Sequence, residues 1–481
     1  MAAFSLATDL GLGQPVEHVL RSWLIAARLG DRLGLDADER EALYYVVMLA
    51  WVGCVAETPE VAGWFGDDIA FRHDGLSVDR AGLPMLGLAL GHVGAGTSVA
   101  HRLRLGVTLV LTRGAPVERA LITHCLATAR LAEKLGLGGE VCNPLQQVFT
   151  RWDGSGVPPT VSGEGIAHAV RLFHLADSVE VYHRAGGVDV LDDLEIASDW
   201  TALIDEEPGL QRRLTEGELD AALEAVADFT DLRSPSRAGH SRAVGALAAR
   251  AAELCGLPEA EVATLRRAAL VHDLGLHGVP ATILDKPGPL TTSEFERLRM
   301  HAYYTERMLA KPPALARIGA VAALTNERLD GSGYHRGLAG AAIPAAGRIL
   351  AAADAFQAMT ETRPYRPALT AKAATDTLRA EVRAGRLATD SVDVVLAAAG
   401  QRRGKRRSGP AGLTARKVEV LVLIARGASN KQVARALGIT TKTAGTHVER
   451  IYSKIGASSR STATLFAMQY GLLDSLEPLD L

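Results

Sequence analysis

What most constrains this 481-residue chain is that two parts of its first 200 residues recur later in the same order. The segment HVLRSWLIAARLGDRLGLDADEREALYYVVMLAWVG, starting at His18, aligns without a gap on HSRAVGALAARAAELCGLPEAEVATLRRAALVHDLG, starting at His240, at a constant offset of 222. A second block runs from His124 through RWDGSGVPP to LADSVE and aligns on His301, ERLDGSGYH and AADAFQ at a constant offset of 177. Two ungapped blocks in one order point to duplication of one domain. The two offsets differ by 45 residues, so the first copy carries an insertion of that length between its blocks, lying within about residues 55–115.

Each copy must bury its own core, and composition says with what. Apolar residues make up 48% of the chain but aromatic ones only 5%, and long Ala- and Leu-rich stretches with scattered Arg and Glu favour helix over strand. An all-α protein is therefore expected, with a first copy over 1–232 and a second over 237–398. An acidic stretch from about Val188 to Arg233 separates them. The run QRRGKRRSGPAG, Gln401 to Gly412, has linker composition and precedes a third unit over 413–475.

The formal net charge of -3 hides a division. From residue 401 onward there are 14 Lys+Arg against 5 Asp+Glu, which leaves 38 against 50 for residues 1–400. The basic end suits a polyanion and the body does not. Cys54, Cys125, Cys142 and Cys255 form no CxxC pair or disulfide framework, as expected in a reducing cytoplasm. The N-terminus lacks a basic leader region, and the uncharged run Tyr44 to Ala56 is shorter than the ~20 apolar residues a bilayer span needs, so no membrane association is expected.

The third unit reads as four short helices. Val418, Leu421, Ile424 and Ala425 keep helical spacing until Gly427, and Ser429 with Gln432 makes a capping box that opens a helix through Leu437. The turn Gly438-Ile439-Thr440 is the short glycine-containing turn of a helix-turn-helix, and Thr440 caps a helix burying Ala444, Val448, Ile451 and Ile455. Beside that stripe, Thr443, Thr446, His447, Arg450 and Lys454 form a polar, net-basic one suited to base edges and phosphates. The whole segment LTARKVEVLVLIARGASNKQVARALGITTKTAGTHVERIYSKIGASSRSTA resembles the LuxR-type helix-turn-helix, through Leu413-Thr414, Gly427, Ser429-Asn430-Lys431, Ala434, Leu437, Lys442-Thr443, His447, Ile451, Lys454 and Arg460. Lys417 departs from the family's usual Glu. The resemblance implies duplex DNA as partner, a homodimer on its site, and contacts from Lys431, Lys442, Thr443, Thr446, His447, Arg450 and Lys454.

In the second copy, His240, the pair His272-Asp273 and Asp354 could converge to hold one divalent metal. Imidazole nitrogen with carboxylate oxygen suits Mn, Fe or Zn. The text around them, VHDLGLHGVPATILDKPGPLTTSEFERLRMH followed by ERLDGSGYHRGLAGAAIPAAGRILAAADAFQAM and RPYRPA, resembles the HD-GYP phosphohydrolases, all-helical enzymes that hydrolyse cyclic di-GMP. That resemblance implies a metal set of His240, His272, Asp273 and Asp354 with His301 nearby, Asp273 as the catalytic candidate, and a cyclic dinucleotide or other nucleotide as ligand. The departures fall at the chemistry. The family's paired histidines before Glu327 are Thr325 and Asn326, the Glu four residues before the first ligand is Ser236, the Lys after the HD pair is Leu276, and the Pro of GYP is His335. A two-metal site is therefore not expected.

In the first copy Ala50 and Trp51 stand at the HD pair, which removes a metal site of this kind. Asp153-Gly154-Ser155-Gly156 and Asp177 are read as maintaining the fold, Asp177 by bonding nearby backbone, and His18 and His124 as satisfied or exposed histidines. The expected function is a DNA-binding transcriptional regulator whose tandem HD-GYP-like domains sense a ligand or partner. The rivals are a one-metal phosphohydrolase coupled to DNA binding and a catalytically inert scaffold.

Overall fold

The structure, a computed structural model, describes residues 1–78, 82–112, 114–184, 214–401, 410–457, 459–470 and 472–473. Among these the fold is all-α, and β-structure is confined to isolated bridges such as Phe149 with Val157 and Asp330 with Ala339. The chain forms two compact units, Met1–Gln401 and Arg402–Leu481. Most of the basic linker, residues 402–409, and residues 188–213 of the acidic stretch lie outside the described residues.

Inside the first unit the elements repeat at the two sequence offsets. His18–Leu33 corresponds to His240–Cys255, Ala37–Leu49 to Glu259–Val271, Ala115–Lys134 to Thr292–Ala310, and His168–Arg184 to Ala345–Thr360. Local chemistry repeats too: Gly34 and Gly256 close the first helix of each copy in the left-handed conformation. After the second helix each copy makes a short 3-10 turn, Val52–Val55 or Leu274–Gly278. These turns press on the next long helix through Gly53 and Gly275. A Cβ on Gly53 would meet the His124 carbonyl oxygen at 2.3 Å, and one on Gly275 would meet that of His301 at 1.9 Å. Only glycine allows so close a backbone approach, and it brings the turn within reach of the histidine on that helix.

The two copies share one apolar core, in which Trp23, Leu43 and Leu145 of the first are continuous with Leu265, Leu350 and Val395 of the second. The N-terminal helix Ala2–Gly11 packs on the 3-10 turn and the long helix of the second copy, with the Phe4 ring 5.7 Å from Phe229. The later part of the acidic stretch is structural rather than a spacer. A Thr215/Glu218 capping box opens the helix Glu216–Asp231, which packs on Ala115–Lys134 of the first copy and Glu259–Val271 of the second.

The insertion adds helices Thr58–Phe65, Asp68–Leu76, Gly82–His92 and Val99–Leu111, with a small apolar cluster around Phe65, Phe71 and Leu109. It is tied to the second copy through Asp68. Wholly buried, Asp68 accepts from Arg72 at 2.6 Å, lies 2.9 Å from Arg233 and accepts from the Ala281 amide at 2.9 Å. Arg233 also donates to the Val279 carbonyl. Removing one partner from such a group leaves a buried charge uncompensated. No single helix among the described residues is long and apolar enough to cross a membrane.

The second unit comprises Ala415–Ala425, Asn430–Leu437, Thr441–Ile455 and Arg460–Gln469. Thr414, Ser429, Thr440 and Ser459 cap these helices, and Ser429 and Ser459 complete capping boxes with Gln432 and Thr462. Leu413, Leu421, Ile424, Val433, Ala444, Ile451 and Ala463 form a separate core.

Candidate functional site

The helix Glu259–Val271 delivers His272 at its C-cap and Asp273 at the start of the following turn, His240 opens the helix His240–Cys255, and Asp354 lies within Ala345–Thr360. All four converge. His240 Nε2 is 3.1 Å from Asp354 Oδ1 and 3.8 Å from Asp273 Oδ2, while His272 Nε2 is 3.2 Å from Asp273 Oδ2 and 3.6 Å from Asp354 Oδ1. A tetrahedral ion bound through nitrogen and oxygen at about 2.0–2.1 Å has edges of about 3.3 Å. These separations fit one such ion for His240, His272 and Asp273, whose ligand atoms all lie within 4.8 Å of one another, with Asp354 beside both imidazoles.

The imidazoles are also set for ligation. His240 donates from Nδ1 to Glu361 Oε2 at 2.8 Å, and His272 Nδ1 to the Ala269 carbonyl at 2.7 Å. Both therefore turn Nε2 toward the cluster, and Glu361 supplies the outer carboxylate that commonly orients a metal-bound histidine. His272 Nε2 is buried without a hydrogen-bond partner. The residues present fit one metal ion.

They do not extend to a second. His301 donates from Nδ1 to the Leu298 carbonyl, its Nε2 lies 3.2 Å from the Asn326 amide nitrogen, and it stays 3.9 Å from Asp273 Oδ1. Burial pushes its pKa down to about 4 and keeps it neutral. Thr325 spends its hydroxyl on the Ala322 carbonyl, and Glu327 accepts from the amides of Arg336 and Leu338. In addition the Arg237 guanidinium is paired with Asp273. Sequence reasoning missed this cation, although it adjoins Ser236, where the related carboxylate is absent. It missed Glu361 as well.

The first copy fills the same place differently. Trp51, at the HD aspartate position, donates its indole N–H to Asp177 Oδ1 at 2.9 Å, and His18 sits 3.2 Å from Asp177 and 2.6 Å from Glu180. Asp177 therefore has side-chain partners that the sequence did not suggest, because Trp51 brings a buried N–H that needs an acceptor. His18 and His124 are both buried. Beside them a cavity of about 690 Å³ is lined by Trp51, Trp64, Phe149 and Trp152 with Cys54 and Glu57.

In the second unit, Lys442, Thr443, Thr446, Arg450 and Lys454 are exposed along the helix Thr441–Ile455, His447 is half-buried, and Lys431 is exposed on the preceding helix. Ala444 and Ile451 of the same helix are buried. Part of the hydroxyl capacity is used locally: Thr443 pairs with Thr440, and Thr446 donates to the Lys442 carbonyl.

A family model for the HD domain matches residues 224–388, and one for bacterial regulatory proteins of the luxR family matches residues 411–467. The chain joins an HD domain to a LuxR-family helix-turn-helix domain. Its relatives include the 3'3'-cGAMP-specific phosphodiesterase 3 of Vibrio cholerae, 28% identical over 401 residues that cover 77% of this chain and 87% of that protein. A cyclic di-GMP phosphodiesterase of Thermotoga maritima is 42% identical over 146 residues, 30% of this chain and 40% of that protein. A crystal structure of a cyclic GMP-AMP-specific phosphodiesterase from V. cholerae superposes with a TM-score of 0.55 at 24% identity, covering 83% of this chain and 96% of that one. It shares the fold of the HD body.

Proposed function

We propose that this protein is a DNA-binding transcriptional regulator whose HD body senses a cyclic dinucleotide, and that it acts on DNA as a homodimer. The observation that carries the reading is the helix Thr441–Ile455, which buries Ala444 and Ile451 while it holds Lys442, Thr443, Thr446, Arg450 and Lys454 in solvent. A helix-turn-helix presents such a face to the major groove. In the body, His240, His272, Asp273 and Asp354 would hold one divalent metal, of the Mn, Fe or Zn class. Arg237 on Asp273, with Thr325 and Asn326 in place of further imidazoles, leaves no set for a second ion to clamp both oxygens of an in-line displacement. Binding without efficient turnover follows, and the ligand class is taken from the relatives.

The test is a gel-shift titration of the full chain against its preferred site and random DNA, with and without 3'3'-cGAMP or cyclic di-GMP. Arg450→Ala or His447→Ala is expected to cost roughly 1–3 kcal/mol on the preferred site with little change on random DNA. Equal losses on both would reduce the helix to a backbone contact. An indifferent shift with both nucleotides would remove the sensing role.

The four convergent ligand atoms favour a second reading, a one-metal phosphohydrolase. A bound metal would supply charge for a phosphate oxygen and lower the pKa of water. Here Asp273 would be the catalytic candidate, with His240, His272 and Asp354 fixing the ion and Arg237 offering a cation to a phosphate. Product formation from cyclic di-GMP that disappears in His272→Ala/Asp273→Ala would establish it.

A further inference from the structure

The first copy contains a second cluster that the HD comparison does not account for. Cys54 lies in the 3-10 turn Val52–Val55, Glu57 follows that turn, and His124 projects from the helix Ala115–Lys134; one ligand atom from each lies within 4.8 Å of the others. All three are buried, at 6%, 6% and 0% exposure. The cluster is not a remnant of the HD set. By the repeat offsets Cys54 and Glu57 correspond to Leu276 and Val279, so two of the three donors are peculiar to this copy.

The geometry of His124 gives the cluster its meaning. Its Nε2 lies 2.6 Å from the Ala50 carbonyl, to which only an N–H can donate, so in the neutral ring Nδ1 carries the lone pair. That Nδ1 faces Glu57 Oε2 at 3.9 Å, and Glu57 Oε2 is buried without a hydrogen-bond partner. Two acceptors opposed in a buried space repel unless a proton or a metal cation lies between them. Zinc bound to both at about 2.0–2.1 Å would draw this 3.9 Å separation in toward the about 3.3 Å edge of a tetrahedral site, and zinc–thiolate bonds of about 2.3 Å suit Cys54. Thiolate with imidazole selects a borderline-soft ion over magnesium or calcium. Arg72, 3.7 Å from Glu57 Oε1, is already committed to Asp68, the Cys54 carbonyl and Thr58, and two anionic ligands offset a dication beside it. Cys54 and Glu57 also line the 690 Å³ cavity, which leaves a coordination position open on that side.

We propose that the first copy holds its own zinc ion at Cys54, Glu57 and His124, with the cavity supplying a fourth, exchangeable position for water or a small Lewis base. The site is separate from the one in the second copy and contains the only sulfur among the donors of either.

That sulfur makes the test specific. Full-length protein stripped with chelator and titrated with Co²⁺ is expected to bind two equivalents and to develop a near-ultraviolet thiolate-to-cobalt absorption band that is displaced by Zn²⁺; in His272→Ala/Asp273→Ala the band should saturate at one equivalent. The band should vanish in Cys54→Ser and persist in His272→Ala/Asp273→Ala, whose lost equivalent comes from the sulfur-free site. Glu57→Gln should raise the Co²⁺ concentration at half-saturation at least tenfold, and it decides the matter if Cys54→Ser does not fold by circular dichroism. Absence of the band in folded protein, its persistence in folded Cys54→Ser, or an unchanged titration in Glu57→Gln would each overturn the proposal. Failure of the double variant to lose a metal equivalent would count against the second-copy site alone.

Discussion

Where the second copy sets the ring nitrogens of His240 and His272 3.1–3.8 Å from the oxygens of Asp273 and Asp354, the first keeps the histidine and the carboxylate, His18 and Asp177, and replaces the pair between them with Ala50 and Trp51. The helices are the same; the way the buried carboxylate is satisfied is not. In the second copy Asp354 lies against two imidazoles. In the first, Asp177 is closed by an indole N–H and by a charged His18, so the protein itself supplies the positive charge. A fold of this kind tolerates loss of its metal when a large side chain brings both volume and a donor. The contrast also separates a metal-ready centre from an aromatic cavity within one body.

The sharpest way to break that contrast is pH. Burial works against a charged His18, but hydrogen bonds to Asp177 and Glu180 outweigh it and raise its pKa to about 10. Its stabilisation is therefore fully present below the unfolded value near 6.5 and lost as pH rises toward 10. In the second copy His277, buried against Phe4 with neither ring nitrogen hydrogen-bonded, is pushed down to about 3 by burial first and by Arg233 and Arg72 after it. Its contribution is complete above about 6.5 and lost as pH falls toward 3. Each is worth on the order of 4 kcal/mol. His18→Gln should flatten the alkaline limb of a stability-versus-pH curve and His277→Phe the acid limb. A His277→Phe protein with an unchanged acid limb would show that the buried neutral ring is not its source.

Next in size are the glycines the copies share. Because the neighbours of Gly53 and Gly275 are the backbone oxygens of His124 and His301, neither can swing away, and Ala at either position should cost about 3 kcal/mol, more at Gly275 where the approach is closer. Urea midpoints measure this. Tolerance at one position alone would mean that its turn can shift without disturbing the other copy.

Much of this contrast was legible before any coordinates. The two offsets located the paired helices, and the residues at the HD position showed which copy could bind metal in the family manner. The capping pattern around Ser429 and Thr440 likewise marked the helices Asn430–Leu437 and Thr441–Ile455, since caps are local. What escaped notice depends on tertiary approach. Arg237 looks like a loop cation until the chain folds it onto Asp273, and Trp51 looks like a mere loss until its N–H is seen on Asp177. Nothing in the spacing of Cys54, Glu57 and His124, 70 residues apart across an insertion, shows that Gly53 lets the turn reach the histidine-bearing helix. The later acidic segment read as a separator because of its charge, while Leu223, Ala227 and Phe229 and even Asp231 and Arg233 are buried.

Trp51→Phe sharpens the comparison at the centre itself. The ring packing against Phe149 and Phe173, at 6.0 Å for both, should persist while the donor to Asp177 disappears. A buried acceptor that loses one partner costs about 1–3 kcal/mol, less than the pH and glycine effects because His18 remains. The variant should melt lower without a change in the Co²⁺ equivalents of the second copy. A stability equal to the parent would imply that the remaining partners, His18 among them, satisfy Asp177 without the indole.

The smallest effect is expected where the copies agree most closely. Asp153 accepts from the Ser155 amide at 2.9 Å and its hydroxyl at 2.6 Å; Asp330 accepts from the Ser332 amide at 3.0 Å and its hydroxyl at 2.6 Å. Both carboxyls are held below their usual range chiefly by that serine hydroxyl, and both stand in solvent, where water can replace what the turn loses. Asp153→Ala and Asp330→Ala should therefore lower the melting temperature slightly and equally. The turn also carries Gly156 or Gly333 against the backbone around Phe149 or Asn326, so it holds the loop beside each centre by geometry that survives loss of the carboxylate. If Asp330→Ala alone altered the response of DNA binding to a cyclic dinucleotide, while its melting temperature still matched that of Asp153→Ala, the second-copy turn would have a role beyond the fold it shares with the first. Equal responses would confine the difference between the copies to the buried residues at their centres.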